Sequence, residues 1–183
     1  MDEKPISPPD RTPLFTAVGK GLTDFSTLEF AVSMVFASLL EPANRAYSVA
    51  AISAARSFEA KMKMTDAVAE VALEKSDLQT WRNLSCRIGK RRLFRDKLAH
   101  WMVGHYPGIK NFDEIKNLKV GLLPPSGSSA QMQAVWDHNG QHPYKALTIA
   151  DLEQFSELTI ELINELFKFG SHISPTNGMG KDR

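Results

Sequence analysis

The stretch from Asp24 to Leu40 constrains the fold most. Phe25, Leu28, Val32, Val35, Phe36 and Leu39 recur at helical spacing, and Phe30, Met34 and Leu40 carry apolar character around nearly the whole cylinder. A helix apolar on almost every side has to be covered by several neighbours, so the sequence predicts a central helix within a bundle. Glu29 interrupts it. The expected role is an ion pair with a basic residue of another helix; the alternative is a carboxylate belonging to a site.

The remaining elements follow the same period. Pro42 suits the first turn of a second helix, with Tyr47, Ala50, Ala51, Ala54 and Ala55 forming a small-residue face. Phe58, Met62, Val68 and Val71 continue the pattern to Leu73 after a break or bend near 56–64, so the sequence leaves open whether 42–74 is one helix or two. Ser76-Asp77-Leu78-Gln79 reads as a capping box. The helix it opens carries Trp81, Leu84, Ile88, Arg95, Ala99 and Met102 on one side, flanked by Phe94, Leu98 and Trp101, and stops at Gly104 and Pro107. Gly89 inside it costs about 1 kcal/mol relative to alanine and marks a bend or a close helix contact. From Tyr106 to Leu147 the period is lost. Leu118–Leu123 reads as a short strand, and Asn139-Gly140 as a hairpin turn between Met132–Asp137 and Pro143–Leu147. Thr148-Ile149-Ala150-Asp151 is a second capping box. It opens an amphipathic helix with Leu152, Phe155, Leu158 or Thr159, Leu162 and Leu166 inward, widened by Ile163 and Phe169. Glu153, Glu157, Glu161 and Glu165 form a solvated face.

The expected fold is therefore mainly α: a bundle of about four to five helices with a small β-hairpin insert before the last helix. Residues 1–22, rich in proline, read as a flexible N-terminal arm. Residues 23–170 read as a single helical domain with the insert at 118–147, and 171–183 as a flexible tail.

Composition narrows the function classes. The chain has 183 residues, 43% hydrophobic and 23% charged, with a formal net charge of +1. That charge gives no global attraction to a polyanion, so any nucleic-acid argument must be local. Cys86 is the single cysteine, which rules out an intrachain disulfide and reads as inert packing. The most apolar run, Leu28 to Leu40, falls short of the ~20 residues that span a bilayer, and the N-terminus fits no signal or transit peptide. The expectation is a complete small cytoplasmic protein with no membrane association. His138 and His142 flank the hairpin turn without a third ligand, so no metal site and no cofactor are expected.

Chemistry concentrates elsewhere. Arg87, Lys90, Arg91, Arg92, Arg95 and Lys97 crowd into eleven positions against a single acid, Asp96. Such a patch attracts phosphates through fork-like arginine contacts. The competing reading is a solvated face paired with Glu70, Glu74 or the last helix. His100 follows Asp96 by four residues, so a carboxylate–imidazole hydrogen bond is within reach. Arg95 precedes His100 by five, about 140° away around the helix at ~100° per residue. The two converge more easily across a two-fold axis than within one chain. Trp81 and Trp101 read as core residues rather than base-stacking platforms.

Arg95-Asp96-Lys97-Leu98-Ala99-His100 resembles the signature of HEPN domains, an arginine and a histidine separated by four to six residues with a polar residue after the arginine. Leu98-Ala99-His100-Trp101 is similar to the ending common among bacterial members. The resemblance covers roughly Asp24 to Phe169, though only the six-residue motif is diagnostic. It implies a metal-independent endoribonuclease acting as a homodimer, of the toxin or defence kind, with RNA as partner and a neutralising protein as a further partner. His100 would be general base or acid toward the ribose 2′-hydroxyl, Arg95 would stabilise the transition-state charge, and Asp96 would orient His100. Arg91, Arg92, Lys97 and His105 would hold flanking phosphates. The family also contains non-catalytic interaction or RNA-binding modules, which is the alternative.

Overall fold

A computed structural model describes residues 10–40, 45–107, 118–123 and 146–174. Among them are five helices and two strands: α1 (Thr12–Ser38), α2 (Arg45–Ser53), α3 (Phe58–Ala72), α4 (Lys75–His100), β1 (Met102–Pro107), β2 (Leu118–Leu123) and α5 (Ile149–Ile173). The architecture is mainly helical, with a two-stranded antiparallel pair before the last helix. By their contacts the described residues group into two compact units. One lies within Met1–Leu22 and Phe94–Ser156, the other within Thr23–Leu93 and Glu157–Arg183.

The second unit is built around α1, as its periodicity requires. Phe25, Leu28, Val32, Val35 and Phe36 are buried, together with Ile52 of α2, Ala69 of α3, Trp81, Leu84 and Ile88 of α4, and Leu162, Ile163, Leu166 and Phe169 of α5. Phe30 departs from the expectation of all-round burial. It is 54% exposed and meets Phe167, ring centroids 6.5 Å apart, because the outward face it shares carries Thr23, Ser26 and Thr27. Glu29 has the expected role, 3.9 Å from Lys61 of α3. Trp81 stacks on Phe169 at 6.2 Å, and its indole N–H donates to Asp66 Oδ1 at 2.8 Å. That bond answers the one polar atom of an otherwise apolar ring.

Residues 42–74 resolve into two helices. Ser57 has extended backbone and its hydroxyl accepts the Ala60 N–H at 3.1 Å, capping α3. The Ser76–Gln79 box does not form. Leu78 N–H bonds back to Glu74 O at 2.8 Å, so α4 begins before Ser76, and Gln79 donates to Asn83 instead.

The first unit corrects the N-terminal reading. α1 begins at Thr12 rather than Asp24, so 12–22 is helix and not arm. Asp10 Oδ1 accepts the Thr12 N–H at 2.9 Å, and Pro13 sits in the first turn, where a missing N–H is tolerated. Leu14 is buried. Gly21 is a close-approach position: a Cβ there would lie 2.8 Å from Leu98 Cδ1 and 3.3 Å from Phe155 Cδ1. Phe155 in turn stacks on Phe94 at 4.7 Å and 11°.

α4 ends at His100, and Met102–Pro107, expected to close the helix, is strand β1. It pairs antiparallel with β2 from Met102↔Leu123 to Pro107↔Leu118. Leu122 also exchanges backbone hydrogen bonds with Leu147 at 2.9 and 3.0 Å. The expected Asn139-Gly140 hairpin, with His138 and His142, lies outside the described residues. The Thr148–Asp151 box forms: Asp151 Oδ2 accepts the Thr148 N–H at 2.8 Å, and Thr148 Oγ1 accepts the Asp151 N–H at 3.3 Å. Along α5 the open choice settles on Thr159, which is buried, while Leu158 is 37% exposed. No helix is long and apolar enough to cross a membrane among the described residues.

Candidate functional site

α4 carries every motif residue except His105, whose backbone pairs with Val120 in the β1–β2 ladder. The buried line of α4 runs Trp81, Leu84, Ile88 and then Leu98. Ala99 is exposed, so the helix turns a different edge inward than the sequence pattern suggested. Cys86, expected as packing, is exposed as well.

The basic patch is largely answered by acids. Arg87 grips Glu165 of α5 with both guanidinium nitrogens, Nη1 to Oε2 and Nη2 to Oε1, the latter at 2.8 Å. The hydrogen bonds from Arg87 hold the Glu165 carboxyl below its usual range and raise the guanidinium in turn. Arg92 Nη1 lies 3.5 Å from Glu59 of α3, whose carboxyl is lowered chiefly by its hydrogen bond to Lys63. Earlier on the helix Arg82 holds Glu70, with Nη2–Oε1 at 2.9 Å. Arg91 is half-buried; burial first, and repulsion from Arg87 second, depress its pKa. Of the two readings of this helix, pairing with acids of α3 and α5 accounts for Arg87 and Arg92. Solvent screens such exposed pairs, so they add little stability, yet each reduces the charge left for a polyanion.

The triplet itself is arranged differently from the spacing argument. Asp96 Oδ1 lies 3.4 Å from Arg95 Nη1, and the expected hydrogen bond from His100 to Asp96 is absent. The Arg95 and Asp96 side chains are 40% and 48% exposed. His100 is exposed at the last position of α4. An imidazole there is reachable by a ligand.

One feature near the motif was read otherwise from sequence. Trp101 is half-buried rather than core, and Lys97 Nζ stands 5.4 Å from the centre of its ring. Trp101 N–H bonds to Lys97 O at 2.8 Å, fixing the pair to the last turn. The signal was the spacing of four between lysine and tryptophan. Among the described residues no group of three or more His, Cys, Asp or Glu side chains could hold a metal ion. Comparison with family models, with curated proteins and with solved structures finds no match for this chain.

Proposed function

We propose that this chain is a HEPN-type, metal-independent endoribonuclease that works as a pair of copies. The observation that carries the reading is the open end of α4, where His100 is exposed and Arg95 is reachable. In the reaction His100 takes the proton of a ribose 2′-hydroxyl. The 2′-oxygen bonds to the adjacent phosphorus as the bond to the 5′-oxygen breaks, and that oxygen receives a proton from His100 of a second copy. A cyclic phosphate and a 5′-hydroxyl end result. Arg95 answers the extra negative charge on the phosphorus oxygens. The ~140° that separates Arg95 and His100 around one helix favours the two-copy arrangement. A cytoplasmic toxin or defence role, with a neutralising protein, is the setting the motif suggests.

Replacing His100 by alanine should lower cleavage of a mixed RNA by about 10²–10⁴-fold while circular dichroism and oligomeric state stay as they were. Cleavage that persists in rigorously purified His100→Ala protein sinks the reading.

A second reading is favoured by Asp96. Its carboxylate is against Arg95 and not His100, which leaves the imidazole without an orienter. That suits a non-catalytic RNA-binding module. It predicts salt-sensitive association with RNA and no turnover by the parent protein.

A further inference from the structure

We infer that Trp101 and Lys97 form a subsite for one unpaired RNA nucleotide, with its base stacked on the indole and its phosphate held by the ammonium. The inference rests on the RNA reading above but on neither of its two forms, since stacking is needed for binding whether or not a cut follows.

The two tryptophans in the described residues of α4 and its end differ in kind. Trp81 is 1% exposed, stacked on Phe169 and hydrogen-bonded to Asp66, so every part of it is used by the fold. Trp101 is half-buried at the first position past α4. The Lys97 ammonium stands 5.4 Å from its ring centre. His100 beside it is exposed and Met102 after it is 53% exposed. An aromatic ring, a flexible cation and an imidazole thus share one short surface segment, fixed to the last helical turn by the Trp101 N–H bond to Lys97 O.

Magnitudes decide what occupies the ring in the presence of RNA. An exposed cation–π contact is worth about a two- to fivefold factor. A base stacked on an aromatic side chain is worth about 5- to 150-fold. A base therefore displaces the ammonium. The lysine stem lets that ammonium swing to a phosphate, where it replaces a condensed counterion. Bases inside a duplex have both faces covered by their neighbours, so the subsite selects single strands and loops over paired RNA.

The test uses the full chain carrying His100→Ala, so that turnover does not consume the probe. Fluorescence anisotropy would follow a short labelled single-stranded RNA and the same strand in duplex, at several salt concentrations. Adding Trp101→Ala should weaken single-strand binding by about 5- to 150-fold and leave duplex binding unchanged, while Trp101→Phe retains most of the affinity. Adding Lys97→Met should flatten the dependence of log K on log salt by about 0.7. Equal single-strand affinity with and without Trp101→Ala overturns the subsite, and so does an equal loss for single strand and duplex. Should the alanine variant lose its helical circular dichroism, Trp101→Leu, which keeps apolar bulk without a π face, carries the same comparison with Trp101→Phe. Failure of both the parent chain and the His100→Ala protein to bind either RNA overturns the RNA reading itself and this inference with it. That outcome is distinct from RNA binding that ignores Trp101.

Discussion

The bond between Trp81 and Asp66 joins α4 to α3, and its strength can be worked out before it is measured. Trp81 Nε1 donates to Asp66 Oδ1 at 2.8 Å, and Ser85 Oγ donates to the same oxygen at 3.3 Å. A hydrogen bond to a charged acceptor contributes ~1.5–3 kcal/mol. Asp66 is half-buried, so water answers part of its charge in any variant, which moves the expectation to the lower end. Asp66→Ala leaves the buried indole N–H without an acceptor and should cost about 1–3 kcal/mol. Trp81→Phe loses the same bond and some ring volume, and should cost less than the ~3–5 kcal/mol of a full tryptophan truncation. The double variant should be less destabilised than the sum of the singles by about 1–2 kcal/mol, because both singles break one bond. Urea denaturation of all four proteins measures this, read as a shift in midpoint at constant m-value. Single-variant losses that add to within about 0.5 kcal/mol would refute the assignment and reduce the contact to packing against Phe169.

Three other outcomes test the reading of the helices. Gly89→Ala should stabilise by about 1 kcal/mol, since a Cβ there meets nothing within 4 Å and the helix gains propensity. Gly21→Ala should be less favourable than Gly89→Ala by about 1–3 kcal/mol, because its Cβ lands 2.8 Å from Leu98 Cδ1 and Leu98 is itself 3% exposed; thermal melts of both variants settle the comparison. The Arg87–Glu165 pair depresses the folded-state carboxyl, so its contribution is present above the unfolded glutamate value of about 4.3 and is lost as pH falls through the lower folded value. With both side chains over 40% exposed, screening limits that contribution to about 1 kcal/mol or less. The stability gap between the parent and Glu165→Gln should therefore narrow toward acid, and a gap that widens there would reverse the sign.

Much of the fold was legible because it is local. α5 declares itself through a capping box that forms as read and a stripe whose members Leu152, Phe155, Leu162 and Leu166 are all buried. The middle of α1 does the same. Its start was missed because two signals compete there: Pro13, Gly19 and Gly21 look like breakers, whereas Asp10 caps Thr12 and Gly21 serves close packing against Leu98 and Phe155. Strand β1 was missed for a different reason. Met102–Pro107 has no alternation of its own, and its pairing with β2 is supplied by a segment more than ten residues further along the chain.

The site was legible only in direction. Spacing on a helix says which side chains point the same way, but not which partner each one takes. Asp96 had two partners in reach and lies against the adjacent Arg95 rather than His100 one turn on. Arg87 and Arg92 meet Glu165 and Glu59, acids far away in sequence that no window along α4 contains. A count of basic residues therefore overstates the field that an RNA would meet, and the pairing has to be subtracted first. What remains shifts the argument toward the end of the helix. Lys97 and His100 occupy its last turn, where unsatisfied carbonyls place partial negative charge. A phosphate is repelled by that terminus unless cations stand in front of it. Lys97 does, with Trp101 beside it, so under the RNA reading proposed above the last turn of α4 and Arg95 just before it are where phosphate binding is to be sought.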